Sequence, residues 1–401
     1  MMKESIYRVV GLLTLMGVLW EGSMGQSVAA EPLKVFVLVG QSNMQGHAME
    51  ETVEHIGMDP QTAPWLERLR DKDGKARVYS DVPVSYLSDR GVKRGALTTG
   101  FGADDRKIGP ELTFGIWMHL ELGEPVLLIK AAWGGKSLHT DFRPPSAGAY
   151  EFSERHQELL TKQGKDIEKV ETEQREASGY YYRLTVDHVK SVLADIGKVY
   201  PEYASEHGYE LAGLVWFQGW NDMVDANTYP DREAAGGYDE YTRLLMHLIQ
   251  DLRRDLSAPE LPVVIGVMGV GGPTASYGPD QRRYVRMHQN FRDAMAATAA
   301  LPGFEGNVVA VRSEEYWDPE LGALVARDGK LRYEVKQKKL HGKEAQAALD
   351  VLRADEFSQA ELETLKKGVS NYPFHYLGSA KILGGIGIAF AEAMLELMKV
   401  K

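Results

Sequence analysis

The sequence has no cysteine among its 401 residues. Disulfides, thiolate nucleophiles and cysteine-ligated metals are therefore excluded. Basic residues are also fewer than acidic ones, with 46 Lys and Arg against 57 Asp and Glu. The formal net charge is therefore −11. This balance argues against nucleic acid or an anionic membrane as the main partner. It leaves a neutral or sugar ligand open.

Long hydrophobic runs are absent as well. The apolar segment 9–20 is short against the ~20 residues that a membrane-spanning helix needs. It follows Lys3 and Arg8 and precedes small residues that end at Ala30, which is the pattern of a secretory signal. We expect export to the periplasm or the exterior after cleavage at Ala30, with no membrane insertion afterwards. An uncleaved anchor is the alternative, and the oligomeric state stays open.

Five apolar segments have the composition of strands that are covered on both faces. They are residues 34–40, 125–135, 211–219, 261–272 and 306–316. Amphipathic helical stretches lie between or after them, at 180–200, 238–256 and 378–398. Alternating strands and helices predict an α/β fold in which helices cover a parallel sheet.

Two segments, 151–178 and 331–367, are highly charged and have few apolar anchors. They interrupt the alternation of strands and helices. We interpret them as helical insertions, either lids or surface decoration. The rest of the chain from residue 31 is expected to form one domain.

The stretch Gly-Gln-Ser-Asn-Met at 40–44 begins at the end of the first predicted strand and places one serine in the polar turn that follows. Ligands of open α/β sheets collect at the carboxyl ends of the strands. Ser42 lies two residues beyond such an end. It is either the cap of the next helix or a nucleophile.

Other strand ends carry residues that a nucleophilic serine needs. Gly134 and Gly135 follow the second strand, where a backbone N–H can approach a substrate oxygen, although a tight turn explains them equally. Asn221 follows the third strand and is either an oxyanion donor or part of a polar turn. His375 precedes the last helix and is either a general base or a surface residue.

The order of these motifs resembles the SGNH (GDSL-like) hydrolase superfamily, most closely its sialate O-acetylesterase and acetylxylan esterase branch. The matching motifs are G-Q-S-N-M at 40–44, I-G-P-E-L-T-F-G at 108–115, Gly-Gly at 134–135, Q-G-x-N-D at 218–222 and P-F-H at 373–375. The resemblance extends from about Lys34 to Met398, except for the charged insertions. It implies a flavodoxin-like three-layer α/β/α sandwich with a mostly parallel sheet.

The resemblance also implies an esterase without cofactor or metal that removes O-acetyl groups from sialic acid or from plant or algal polysaccharides. By motif position, Ser42 would be the nucleophile and His375 the base. Oxyanion donors would be the N–H groups of Ser42 and Gly135 and the side chain of Asn221. Further substrate contacts would come from Gln41, Gly134 and Gln218. Either glycine of the 134–135 pair could supply the donor.

Two positions depart from the pattern of the superfamily. The aspartate expected three residues before the histidine is replaced by Tyr372, and Trp220 replaces a glutamate that often follows Q-G in this branch. Asp222 could then orient His375, or a backbone carbonyl or Asn371 could hold the imidazole. Lost catalysis would leave a carbohydrate-binding protein on an esterase scaffold. A lipase or thioesterase of the same superfamily is a further alternative.

Overall fold

The computed structural model describes residues 31–399. The predicted signal segment therefore lies outside the described residues. The strands are β1 Leu33–Gly40, β2 Ala48–Met49, β3 Tyr79–Ser88, β4 Gly91–Leu97, β5 Lys107–Ile108, β6 Val126–Ala132, β7 Tyr209–Phe217, β8 Val263–Val267 and β9 Val308–Arg312. The helices are α1 Ser42–Gln45, α2 Val53–Ile56, α3 Ala63–Leu69, α4 Pro110–Leu122, α5 Glu154–Lys162, α6 Ile167–Ala177, α7 Tyr180–Ala194, α8 Trp220–Val224, α9 Asp239–Asp255, α10 Val285–Ala297, α11 Pro319–Gln337, α12 Gly342–Glu356, α13 Gln359–Gly368 and α14 Ala380–Lys399.

Seven strands form the main sheet, in the order β4-β3-β6-β1-β7-β8-β9. All neighbours are parallel except the β3–β4 hairpin. Without this hairpin the order is that of a flavodoxin-like sheet, with β1 at the point where the strand order reverses. The α/β fold class and all five predicted strands are confirmed.

The strand ends meet at β1. Gly40 is in register with Ala132 of β6 and with Phe217 of β7. A Cβ atom on Gly40 would lie 2.1 Å from the carbonyl oxygen of Phe217, so only glycine permits this approach. The turns that follow β1, β6 and β7 are consequently adjacent.

Helices cover both faces of the sheet. Trp216 donates its indole N–H to the Tyr241 hydroxyl of α9 at 3.3 Å. The next residue, Phe217, packs edge-on against Phe390 of α14 at 5.3 Å. Because successive strand residues point to opposite faces, α9 and α14 lie in different layers. The sheet between them is the apolar core.

Both charged insertions contain helices. Helices α5 and α6 lie within 151–178, α12 lies within 331–367, and α13 begins in that segment and ends at Gly368. Most of their residues are exposed or half-buried. Among the residues that the structure describes, none of the helices has the length and apolar character needed to cross a bilayer.

Candidate active site

Ser42 is the first residue of α1, the single helical turn that follows β1. The cap position belongs to Gln41, and no side chain caps this helix. The interpretation of Ser42 as a helix cap is therefore wrong. The residue is 7% exposed, and its hydroxyl makes no hydrogen bond within the part of the chain that the structure describes. The hydroxyl is thus free to react.

Gln41 connects the serine turn to Asn221. The Gln41 Oε1 atom accepts hydrogen bonds from the N–H groups of Gly219 at 3.0 Å and Asn221 at 3.4 Å. Its Nε2 atom donates to Asn221 Oδ1 at 3.0 Å. This contact identifies the oxygen of the Asn221 amide and leaves its NH₂ group available as a donor. The Asn221 NH₂ group thus keeps the donor capacity that an oxyanion donor needs.

Asp222 is a fully buried anchor between two turns. Its carboxylate accepts the N–H groups of Leu138 at 2.8 Å and His139 at 3.0 Å. It also accepts Gln218 Nε2 at 2.6 Å and the Tyr229 hydroxyl at 3.2 Å. Burial raises the pKa of Asp222, whereas His139 and the hydrogen bonds oppose that rise. The carboxylate thereby fastens the turn after β6 to α8.

These contacts correct three expectations. Asp222 does not orient His375, since its hydrogen-bond partners among the described residues belong to the turn after β6, the turn between β7 and α8, and the segment after α8. Gln41 and Gln218 are 1% and 0% exposed. Gln218 also donates to the Lys136 carbonyl at 2.9 Å. Both glutamines are buried and support the site from within, and neither side chain is exposed at the surface where a substrate would bind.

Asn371 is the residue that holds His375. The Asn371 Oδ1 atom lies 3.0 Å from His375 Nδ1 and accepts the N–H of Tyr372 at 2.8 Å. Because a backbone N–H can only donate, the Asn371 atom must be the oxygen. The facing His375 Nδ1 then carries the proton, and Nε2 keeps the lone pair that a general base needs. Of the alternatives open from the sequence, the structure supports Asn371.

A second imidazole lies against this base. The rings of His47 and His375 are stacked, with centroids 4.0 Å apart and planes 4° apart. Burial, with Lys107 nearby, lowers the pKa of His375 to about 4. Burial, His375 and Lys107 lower the pKa of His47 to about 3. Both rings are therefore neutral at neutral pH, and His375 is available to accept a proton.

The turn Pro373–Gly378 presents His375 through an unusual backbone. Tyr376 and Leu377 have φ values of 51° and 61°, in the left-handed region that costs energy for side chains of this size. The buried Tyr376 hydroxyl contacts Ser313 Oγ at 2.6 Å and accepts the Gly269 N–H at 2.8 Å. These contacts hold the strained turn against the sheet. The turn also packs against α1.

Ser42 and His375 are thus brought to the same sheet edge, without a hydrogen bond between their side chains within the described residues. Hydrogen bonds between catalytic groups often tighten only in the substrate complex. Gly135 lies on the turn after β6 with a φ of 68° and open space where a Cβ would be. An ideal Cβ on Gly134 would instead lie 3.3 Å from Gln45 Oε1.

A buried ion pair supports α1 from below. Lys130 Nζ contacts Glu111 Oε2 at 2.7 Å, and both side chains are 0% exposed. The same ammonium donates to the carbonyl groups of Gln45 at 2.8 Å and Phe101 at 2.7 Å. The I-G-P-E motif thus acts through Glu111 on the end of the serine turn. This role is not evident from the sequence, because the pairing joins β6 to α4.

Aromatic rings border the histidine turn. Trp220 lies 5.8 Å from Phe374 between ring centroids. Tyr372 stacks on Phe374 at 5.3 Å and is 68% exposed. The position that often holds glutamate in related sequences is therefore part of an aromatic rim in this protein.

The anchoring role of Asp222 gives a stability prediction. Asp222→Asn should lower the free energy of unfolding by about 3 kcal/mol, because an amide NH₂ replaces an acceptor in a buried site that faces four donors. Urea denaturation measures this change. Asp187→Asn, at an exposed position on α7, is the control and should change it by less than about 0.5 kcal/mol. Equal stability of the two variants would contradict the anchoring role.

Comparisons with known proteins place the chain in a family. The family model "Carbohydrate esterase, sialic acid-specific acetylesterase" matches residues 32–301. A structure of a protein from Arabidopsis thaliana is 17% identical with a TM-score of 0.35, over 70% of this chain and 86% of that chain. A carbohydrate acetylesterase from Xanthomonas citri is 12% identical with a TM-score of 0.39, over 69% of this chain and 49% of that chain. No curated protein matches the chain. Since the family model spans more than half of the sequence, the chain belongs to the sialic acid-specific acetylesterase family and is a carbohydrate O-acetylesterase.

Proposed function

We propose that the protein is an exported serine esterase that removes O-acetyl groups from carbohydrates through an acyl-serine intermediate. The main support is the state of His375. Asn371 fixes its proton on Nδ1, and the turn that carries it packs against the helix that begins at Ser42. A free hydroxyl and a neutral imidazole at one sheet edge are the groups that acyl transfer needs.

In the proposed first step, Ser42 Oγ attacks the acetyl carbonyl carbon while His375 Nε2 takes the hydroxyl proton. The negative charge on the carbonyl oxygen is stabilised by the N–H groups of Ser42 and Gly135 and by the Asn221 NH₂ group. The C–O bond to the sugar then breaks, and His375 returns the proton to the leaving sugar oxygen. Water repeats the sequence on acetyl-Ser42 and releases acetate.

The proposed substrate class is an acetylated sugar, either sialic acid or a plant or algal polysaccharide. The aromatic rim of Trp220, Phe374 and Tyr372 supports a ring-shaped substrate. Acetate release from O-acetylated sialic acid and from acetylated xylan, with 4-nitrophenyl acetate as a general ester, tests the proposal. Release from at least one sugar ester is expected. Absence of hydrolysis of all three esters would contradict it.

Export is proposed from the sequence alone. The positively charged start, the apolar segment 9–20 and the small residues before Ala30 support it. Expression of the full chain in a bacterial host should yield a protein that begins at Glu31 outside the inner membrane. A cytoplasmic protein with an intact N-terminus would contradict export and leave the esterase proposal unaffected.

The neutral partner of His375 gives a pH prediction. His375 must be neutral to act as a base, so kcat/KM should fall only as the pH drops through about 4, where its pKa lies. Asn371→Asp places a carboxylate on Nδ1 and should raise the pKa of His375. We expect the acid limb of the profile to move up by about one to three pH units.

The pH profile of 4-nitrophenyl acetate hydrolysis, recorded for the unmodified protein and for Asn371→Asp, measures the acid limb of each. Asn227→Asp, in the segment between α8 and α9, is the control and should leave the acid limb in place. An acid limb near pH 6.5 in the unmodified protein would contradict the lowered pKa of His375. No movement of the limb on Asn371→Asp would contradict the assignment of His375 as the base.

A further inference from the structure

A cleft of about 820 Å³ opens beside α14, and neither Ser42 nor His375 lines it. Its walls come from the segment 55–65, residues 315–321 and α14. Ligand pockets in proteins have volumes of about 300–1,000 Å³. The cleft is therefore large enough for a sugar or a short oligosaccharide.

Three aromatic side chains, those of Trp65, Tyr316 and Trp317, lie in the wall of the cleft. An ideal Cβ on Gly385 of α14 would lie 3.3 Å from Tyr316 and 3.6 Å from Trp65, so the glycine leaves a slot between these two rings. Trp317 also lines the cleft. The Tyr316 hydroxyl and the two indole N–H groups make no hydrogen bond to any residue between 31 and 399. The rings therefore offer apolar faces together with unused donors.

A fixed polar group lies next to the rings. Lys381 Nζ contacts Asp59 Oδ2 at 2.8 Å and Asp318 Oδ2 at 2.9 Å. His55 lines the same cleft and is 4% exposed. Its Nδ1 atom is buried without a hydrogen-bond partner within the described residues. Because a buried polar atom without a partner is costly, His55 is a marked departure from ordinary packing.

The charge of the cleft narrows the chemistry of its ligand. Histidine aside, the charged residues that line the cleft are four acidic ones and one basic one, Lys381. The acidic residues are Asp59, Glu315, Asp318 and Glu320. This excess of negative charge disfavours anionic ligands. The described residues contain no cluster of three or more His, Asp or Glu side chains that could hold a metal ion. Aromatic faces with carboxylate acceptors and N–H donors fit the C–H faces and hydroxyl groups of a neutral sugar ring.

We propose that this cleft is a second carbohydrate-binding site, which takes a neutral sugar unit of a polymeric substrate. The proposal rests on the proposed function for the assumption that the substrate is a polysaccharide. The Trp317 ring centroid lies 6.4 Å from that of Tyr376, the residue after His375. The wall of the cleft thus packs against the turn that carries the base.

Calorimetry on the full chain carrying Ser42→Ala tests the proposal, with xylohexaose, mannohexaose and cellohexaose as neutral probes and hexagalacturonate as the anionic one. At least one neutral probe should bind, and hexagalacturonate should not.

Tyr316→Ala should weaken the binding by at least about tenfold, which corresponds to ~1.4 kcal/mol. Tyr333→Ala, at a 65% exposed tyrosine outside the cleft, is the matched control. Absence of binding by all neutral probes, or equal binding by the two tyrosine variants, would overturn the proposal.

Gly385→Leu is a second variant, because its side chain would fill the slot between Tyr316 and Trp65 and glycine is unfavourable in a helix interior. It should also weaken neutral-sugar binding by at least about tenfold. With Ser42 restored, both cleft variants should hydrolyse 4-nitrophenyl acetate at the unmodified rate and show a raised KM for acetylated polysaccharide. An unchanged KM would overturn the second site. If the unmodified protein did not hydrolyse 4-nitrophenyl acetate, the esterase proposal would be overturned instead.

Discussion

Ser42→Ala should lower kcat for 4-nitrophenyl acetate by a factor on the order of 10⁵ to 10⁶, the size of effect seen when a catalytic serine is removed from a hydrolase. The hydroxyl is the group that becomes acylated, and no neighbouring side chain replaces it. Because Ser42 Oγ makes no hydrogen bond within residues 31–399, its removal should leave the melting temperature nearly unchanged. Initial rates and a thermal melt measure the two effects.

The matched control is Ser276→Ala, at an exposed serine in the loop after β8. It should retain full activity. Retained activity in the Ser42→Ala protein would remove Ser42 from the chemistry. A large drop in melting temperature would instead show that the serine has a structural role.

Asn221→Ala should lower kcat by about 10² to 10³ with little change in KM, because it removes one donor to the charge that develops in the transition state. The expectation depends on the orientation of the amide, which Gln41 Nε2 fixes through Asn221 Oδ1 at 3.0 Å. Kinetics on 4-nitrophenyl acetate measure the change, and Asn227→Ala is the control on the following segment.

Asn221→Asp distinguishes an oxyanion donor from an anchor of the turn. The carboxylate still accepts the hydrogen bond from Gln41 but has no NH₂ group and repels the oxyanion. We expect its kcat to fall at least as far as that of Asn221→Ala. Rescue of activity by Asn221→Asp would mean that Asn221 acts only by holding the turn.

The main sheet could be predicted because its parallel strands are short and nearly all apolar. All five predicted segments are strands, and the one at 34–40 lies in the centre, where the order reverses. The β3–β4 hairpin was not predicted. Strand β3 includes Pro83 at a register shift, and β4 is largely exposed or half-buried, so neither carries the continuous apolar pattern of a covered strand.

The positions of the site residues follow from the strand ends, but their partners do not. Asn221 and Asp222 are consecutive, yet one is available to a ligand and the other is fully buried. A sequence shows both as polar residues of one turn. Asp222 cannot orient His375, because donors from the β6 turn, more than 80 positions earlier, occupy its carboxylate.

Asn371 was one of three alternatives open from the sequence for holding His375, and the sequence could not select it for a local reason. The usual aspartate lies three residues before the histidine, whereas Asn371 lies four before it. The turn Pro373–Gly378 departs from helical geometry at His375, Tyr376 and Leu377. This irregular backbone allows a residue four positions away to reach Nδ1, and such a path cannot be inferred from spacing alone.

The central claim is that Ser42 is the nucleophile and that His375 activates it. A fluorophosphonate probe, followed by trypsin digestion and mass spectrometry, tests it most directly because the probe reacts only with an activated hydroxyl. We predict that the label is on Ser42, in the peptide 35–68, and that His375→Asn greatly slows the labelling. A label on another residue, or hydrolysis of 4-nitrophenyl acetate without labelling of Ser42, would contradict the claim.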